Sequence, residues 1–92
     1  EVDRIWALEP ALLGDLHVFS QKVALAMEDV MPCQRVGQAV IGLEVPHAHV
    51  HLIPLNAVAD INFERPKLQV TQEELAEVAA RIRDAFEVRY PA

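Results

Sequence analysis

Residues 45–54 read VPHAHVHLIP, which places His47, His49 and His51 at alternate positions in a chain whose other histidine is His17. A period of two is the period of a β-strand, so the three imidazoles fall on one face and Ala48, Val50 and Leu52 on the other. One side of such a strand is fit to pack on a core. The other carries a row of side chains whose ordinary titration range spans neutral pH.

Working outward, Arg35 to Leu43 reads as a second strand, rich in Val and Ile, with Gly37 and Gly42 as points of bulging or close approach. The link Glu44 to Pro46 is too short for a helical crossover, so the two strands are expected to be antiparallel neighbours. Upstream, Glu9 to Met31 reads as a helix: Pro10 suits a first turn and Pro32 ends the run. Its apolar stripe is Leu12, Leu13, Leu16, Phe19, Val23, Met27 and Val30. Asn56 to Val70 reads as loop, with a short strand at Ile61 to Phe63. Thr71 and Glu74 then form a capping-box pattern that opens a second helix, whose expected buried face is Leu75, Val78, Ala79, Ile82 and Phe86.

Composition sets the frame for these elements. With 92 residues, 52% of them hydrophobic and 24% charged, the chain fits one domain over residues 1–92, of α+β class, an antiparallel sheet flanked by helices. A formal net charge of -6 argues against general affinity for nucleic acid or for an anionic membrane, both of which call for clustered Lys and Arg. Cys33 is the lone cysteine, which excludes an internal disulfide and a Cys-rich zinc site. The sequence shows no signal-peptide or spanning-helix pattern, so a reducing cytoplasm is the default. Two strands make a thin sheet, and thin sheets are marginal without cover. The expectation is therefore that a partner chain completes the sheet and core, or that strands preceding Glu1 do so in a longer protein.

Three readings of the histidine row follow from its chemistry. The first is surface or partly satisfied core histidines on a strand. The second is a metal site, because imidazoles at i and i+2 of a strand can share one ion. Its further ligands would have to be Glu44, which is near in sequence, or Asp60 and His17, which only the fold can bring close; no metal is expected on that count. The third is phosphate chemistry. A neutral imidazole nitrogen can attack phosphorus while neighbouring imidazoles orient it or assist proton transfer to the leaving group.

The stretch GLEVPHAHVHLIP, Gly42 to Pro54, resembles the signature of the histidine triad superfamily, in which His-x-His-x-His followed by two apolar residues closes the catalytic strand. The resemblance extends back through RVGQAVIG and the preceding helix to EVDRIWALEP, and so covers roughly Glu1 to Leu55. It implies that His49 is the nucleophile that becomes transiently nucleotidylated. His47 would orient it, and His51 would contact the phosphate or the leaving group. Glu44 stands where members often carry a polar residue near the leaving group, and Leu43 stands where many carry Gln; both are expected to border the substrate.

The chemistry implied is hydrolysis or transfer at the α-phosphate of a nucleotide, a purine by preference, in nucleoside phosphoramidates, aminoacyl adenylates or dinucleoside polyphosphates. No cofactor is implied, and a homodimer is. Such members normally begin with a helix and strands that build the nucleoside pocket, so the resemblance also implies a truncated N-terminus. The rival expectation is a non-catalytic domain that binds nucleotide, metal or another protein.

Overall fold

The computed structural model describes residues 2–43, 46–61 and 70–91. Pro10 occupies the first turn of helix α1, Pro10–Val30, where a missing N–H costs nothing because no carbonyl precedes it in the ladder. Met31 leaves helical geometry (φ -104°, ψ 135°) while its N–H still reaches the Met27 carbonyl, and Pro32 bars continuation. The helix is thus one residue shorter at each end than predicted. Helix α2, Gln72–Arg89, opens on the predicted capping box: Thr71 Oγ1 accepts from the Glu74 N–H at 3.0 Å, and Glu74 Oε1 accepts from the Thr71 N–H at 3.3 Å. A cap of this kind contributes about 1 kcal/mol.

The helix faces differ from the predicted stripes. On α1, Met27 is buried as expected, but Leu12 and Phe19 are 52% and 56% exposed, and Ser20 and Ala26 are buried instead. The reason is that α1 packs against α2 and against the sheet at once. Phe19 and Val23 border a groove shared with α2, whereas His17, Ser20, Gln21 and Ala24 line the groove against the sheet. On the sheet side the Ser20 hydroxyl is satisfied by donating to the Leu16 carbonyl at 2.8 Å.

Helix α2 contains no buried residue; Leu75 is half exposed and Ile82 and Phe86 are half-buried. What joins the two helices is aromatic and ionic contact. Phe19 and Phe86 lie 6.0 Å apart between ring centroids, Phe86 and Tyr90 5.1 Å, and Lys22 Nζ sits 5.2 Å over the Tyr90 ring. Arg81 Nη2 donates to the Val30 carbonyl at 2.7 Å, which satisfies an end group of α1. Arg89 grips Asp29 with two parallel bonds, Nη2 to Oδ1 at 2.8 Å and Nε to Oδ2. The bonds from Arg89 hold the Asp29 carboxyl below its ordinary value, against a partial loss of water and with the help of the guanidinium charge.

Strands β1, Arg35–Ala39, and β2, His51–Leu55, pair antiparallel as expected, in the register Arg35↔Leu55 through Ala39↔His51. Opposed residues share a face, so Val36, Gln38, Leu52 and Pro54 point toward α1, while Gly37, Ala39, His51 and Ile53 take the other side. Gly37 is a close-approach point: a Cβ there would run into the Leu55 side chain, whose Cγ would lie at 3.3 Å. Val36 and Pro54 oppose each other without an amide bond between them, since the Val36 N–H donates to Glu28 Oε2 at 2.9 Å and Pro54 has none to give.

Both strands are shorter than predicted at their facing ends, because the extended path of β1 ends at Ala39 and Gly42 adopts a left-handed φ of 73°. Beyond β2, Asn56 Oδ1 accepts from the Gln34 N–H, and Asp60 Oδ2 accepts from the Asn56 and Ala57 N–H groups, each at 2.9 Å. These bonds set a 3-10 turn, Val58–Ile61, where the start of a short strand was expected; residues 62 and 63 lie outside the described ones.

The hydrophobic core among the described residues is Ile5, Ala26 and Met27. The accessible surface is 7334 Å², against roughly 5,400 Å² for a folded monomer of this length. No described helix is long and apolar enough to cross a membrane.

Candidate functional site

The three histidines converge although only His51 lies in β2. Pro46 and His47 form a bend after the left-handed Gly42, and Ala48 is held not by β1 but by the N-terminal segment, its N–H donating to the Val2 carbonyl at 2.8 Å. Alternation still keeps the rings together. His47 and His49 meet edge to face with centroids 5.7 Å apart and planes at 70°, and His49 and His51 do so at 4.7 Å and 88°. His47 is exposed; His49 and His51 are half-buried.

One hydrogen bond fixes the middle ring. His49 Nδ1 lies 2.8 Å from the carbonyl oxygen of His47. A carbonyl only accepts, so Nδ1 carries the proton, and in the neutral imidazole Nε2 then carries the lone pair. The backbone of one triad residue thereby selects the tautomer of the next. Nε2 becomes the atom available for attack on an electrophile or for proton transfer.

A cavity of about 340 Å³ opens against His47 and His49. Its other walls include Arg4 and Trp6 from the N-terminal segment and Ile41, Gly42 and Leu43 from the chain after β1. Leu43, expected to border the substrate, is therefore at the histidines, with its side chain 88% exposed. Glu44, the other expected neighbour, lies outside the described residues. Sequence reasoning missed Arg4 and Trp6. The only signal for them was the abrupt charged and aromatic run EVDRIW, whose proximity to the triad depends on the contact between Val2 and Ala48.

Of the residues weighed as further metal ligands, Asp60 and His17 do not join the histidines, and Glu44 lies outside the described residues. The Asp60 carboxylate is engaged by the amides of Asn56 and Ala57, and His17 lines the groove between α1 and the opposite face of the sheet. Among the described residues no three His, Cys, Asp or Glu side chains are grouped so as to hold a metal ion. The larger groove, about 880 Å³ between α1 and α2, is lined by Phe19, Phe86 and Tyr90 and contains none of the triad.

No protein-family model matches the chain.

Proposed function

We propose that the protein is a nucleotide hydrolase or transferase of the histidine triad type, acting at the α-phosphate of nucleoside phosphoramidates, adenylates or dinucleoside polyphosphates. The observation that carries this reading is the bond from His49 Nδ1 to the His47 carbonyl, because it leaves the lone pair on Nε2. In the first step that lone pair attacks the α-phosphorus, a P–N bond to His49 forms, and the bond from phosphorus to the leaving nitrogen or oxygen breaks. The departing atom takes a proton, delivered by a neighbouring imidazolium. In the second step water attacks the phosphorus, the P–N bond breaks, its electron pair returns to Nε2 and the water proton is released, giving the nucleoside monophosphate.

His47 holds the nucleophile through its carbonyl, and His51, packed edge to face on the His49 ring, meets the phosphate or leaving group. Leu43 and Glu44 border the substrate. The reaction as written needs no cofactor. The protein acts in the cytoplasm as a homodimer, a reading supported by the two-stranded sheet and the exposed Leu12 and Phe19.

The test is to incubate the protein with an adenosine phosphoramidate radiolabelled at phosphorus. The expected result is turnover together with an acid-labile label on the protein, both lost in His49→Ala by at least about 10³-fold because no other group can form the covalent intermediate. Label and turnover that persist in His49→Ala would refute the mechanism. Nucleotide binding without turnover in the unaltered protein would favour a binding domain.

A further inference from the structure

The 3-10 turn Ile5–Ala7 presents its middle residue outward. Ile5 is buried at 7% exposure, the Ala7 N–H donates to the Arg4 carbonyl at 3.0 Å and the Leu8 N–H to the Ile5 carbonyl at 3.2 Å. Trp6 is left 84% exposed by a backbone anchored on either side of it. A single exposed apolar residue is ordinary on a protein surface. Here four converge: Trp6, Val40 (39% exposed), Ile41 (50% exposed) and Leu43 (88% exposed) all line the cavity that opens on His47 and His49, and Arg4 and Asp3 add a cation and a carboxylate to its lining. A cavity of about 340 Å³ is at the small end of ligand sites, with room for one planar ring system carrying a phosphate.

We infer that Trp6 is the stacking platform for a planar aromatic ring of the phosphate substrate, with Leu43 and Ile41 as the apolar walls, and so determines which substrates present their phosphorus to His49. The inference rests on the proposed function, in that the ligand carries a phosphate and His49 is the group that turns it over. An indole offers a large flat face at little cost in side-chain entropy, and stacking on it accepts any flat ring. The ring is either the nucleobase or an aromatic leaving group, and two probes separate these sources.

Trp6 is the one tryptophan of the chain, so its emission reports on this site alone. The experiment titrates His49→Ala protein, which binds without turning over, with adenosine monophosphate, phenyl phosphate and ribose 5-phosphate, following fluorescence and, in parallel, the heat of binding. Saturable quenching is expected from a ring-bearing probe: from adenosine monophosphate if the base stacks, from phenyl phosphate if the leaving group does. Ribose 5-phosphate, which has no aromatic ring, should bind about tenfold more weakly, the low end of what a base–aromatic stack contributes. By calorimetry, Trp6→Ala should lose about the same factor and Trp6→Phe should retain most of the affinity. In the catalytically intact protein the Trp6→Ala change should raise KM and leave kcat nearly unaltered. Equal binding of all three probes, or unchanged affinity in Trp6→Ala, overturns the inference. Loss of turnover in His49→Ala would be untouched by either result, so the two readings fail separately.

Discussion

The helical pair and the histidine segment are held by different forces. Between α1 and α2 the contacts are mostly side chain to side chain: stacked aromatics, Lys22 over Tyr90, and the guanidinium of Arg89 on Asp29. Around the triad they are mostly backbone contacts: the Ala48 N–H on the Val2 carbonyl, the His49 ring on the His47 carbonyl, the turn at Gly42. Side-chain contacts tolerate substitution in small increments, whereas a backbone turn fixes the direction in which several later side chains point. Changes in the helices should therefore move stability alone, and changes in the triad segment should move turnover.

The strongest way to break that division is Met27→Ala. Met27 is one of the few buried apolar side chains among the described residues, and its truncation should cost roughly 2–5 kcal/mol, read as a fall in the denaturant midpoint. At a temperature where the variant remains folded, kcat and KM should be unchanged. A change in KM would show that the helices and the site are mechanically coupled.

Gly42→Ala should have a smaller effect on stability and the larger one on activity. Among the described residues no atom beyond the chain neighbours of Gly42 stands within 4 Å of the position a Cβ would take, so the cost is the left-handed backbone itself, about 1–2 kcal/mol. The substitution also redirects the chain entering the triad, and turnover should fall beyond what the unfolded fraction explains. Equal losses in turnover and folded fraction would make Gly42 a purely structural residue.

The smallest effect belongs to Asp29→Asn. The folded-state pKa of Asp29 is depressed, so the contribution of the ion pair is present above the ordinary carboxyl value of 3.8 and is lost as pH falls through the lowered folded value. Both partners are more than a third exposed, which keeps the contribution slight at neutral pH. The stability gap between Asp29→Asn and the unaltered protein should be measurable at pH 7 in low salt and should close in acid below pH 3.8. A gap that persists there would assign the effect to packing rather than charge.

Both helices and the antiparallel pair were legible because each is written locally. Pro10, Pro32, and Thr71 with Glu74 are signals read within a turn of where they act. The antiparallel pairing was expected from a three-residue link, and it holds although the link proves longer, residues 40–50, because that stretch contains no helix among the described residues to carry a parallel crossover. The predicted burial faces held only in part, since a period of 3.6 states which residues share a side and not how many partners that side will meet. Ser20 and Ala26 are buried because α1 has two neighbours, a fact carried by no single element.

For the site, sequence alone determined that His47, His49 and His51 share a side, because alternation is a property of extended chain whether or not a neighbouring strand is paired to it. It also left Asp60 and His17 as metal ligands for the fold to decide. Tertiary structure sent them elsewhere: Asp60 to two backbone amides, His17 to the far face of the sheet. Only tertiary structure brought Trp6 and Arg4 to the histidines, across some forty residues of chain, and it did so through contacts such as the bond between Val2 and Ala48. A hydrogen bond between distant backbone groups carries no residue-type signature, since every N–H and C=O along the chain is chemically alike.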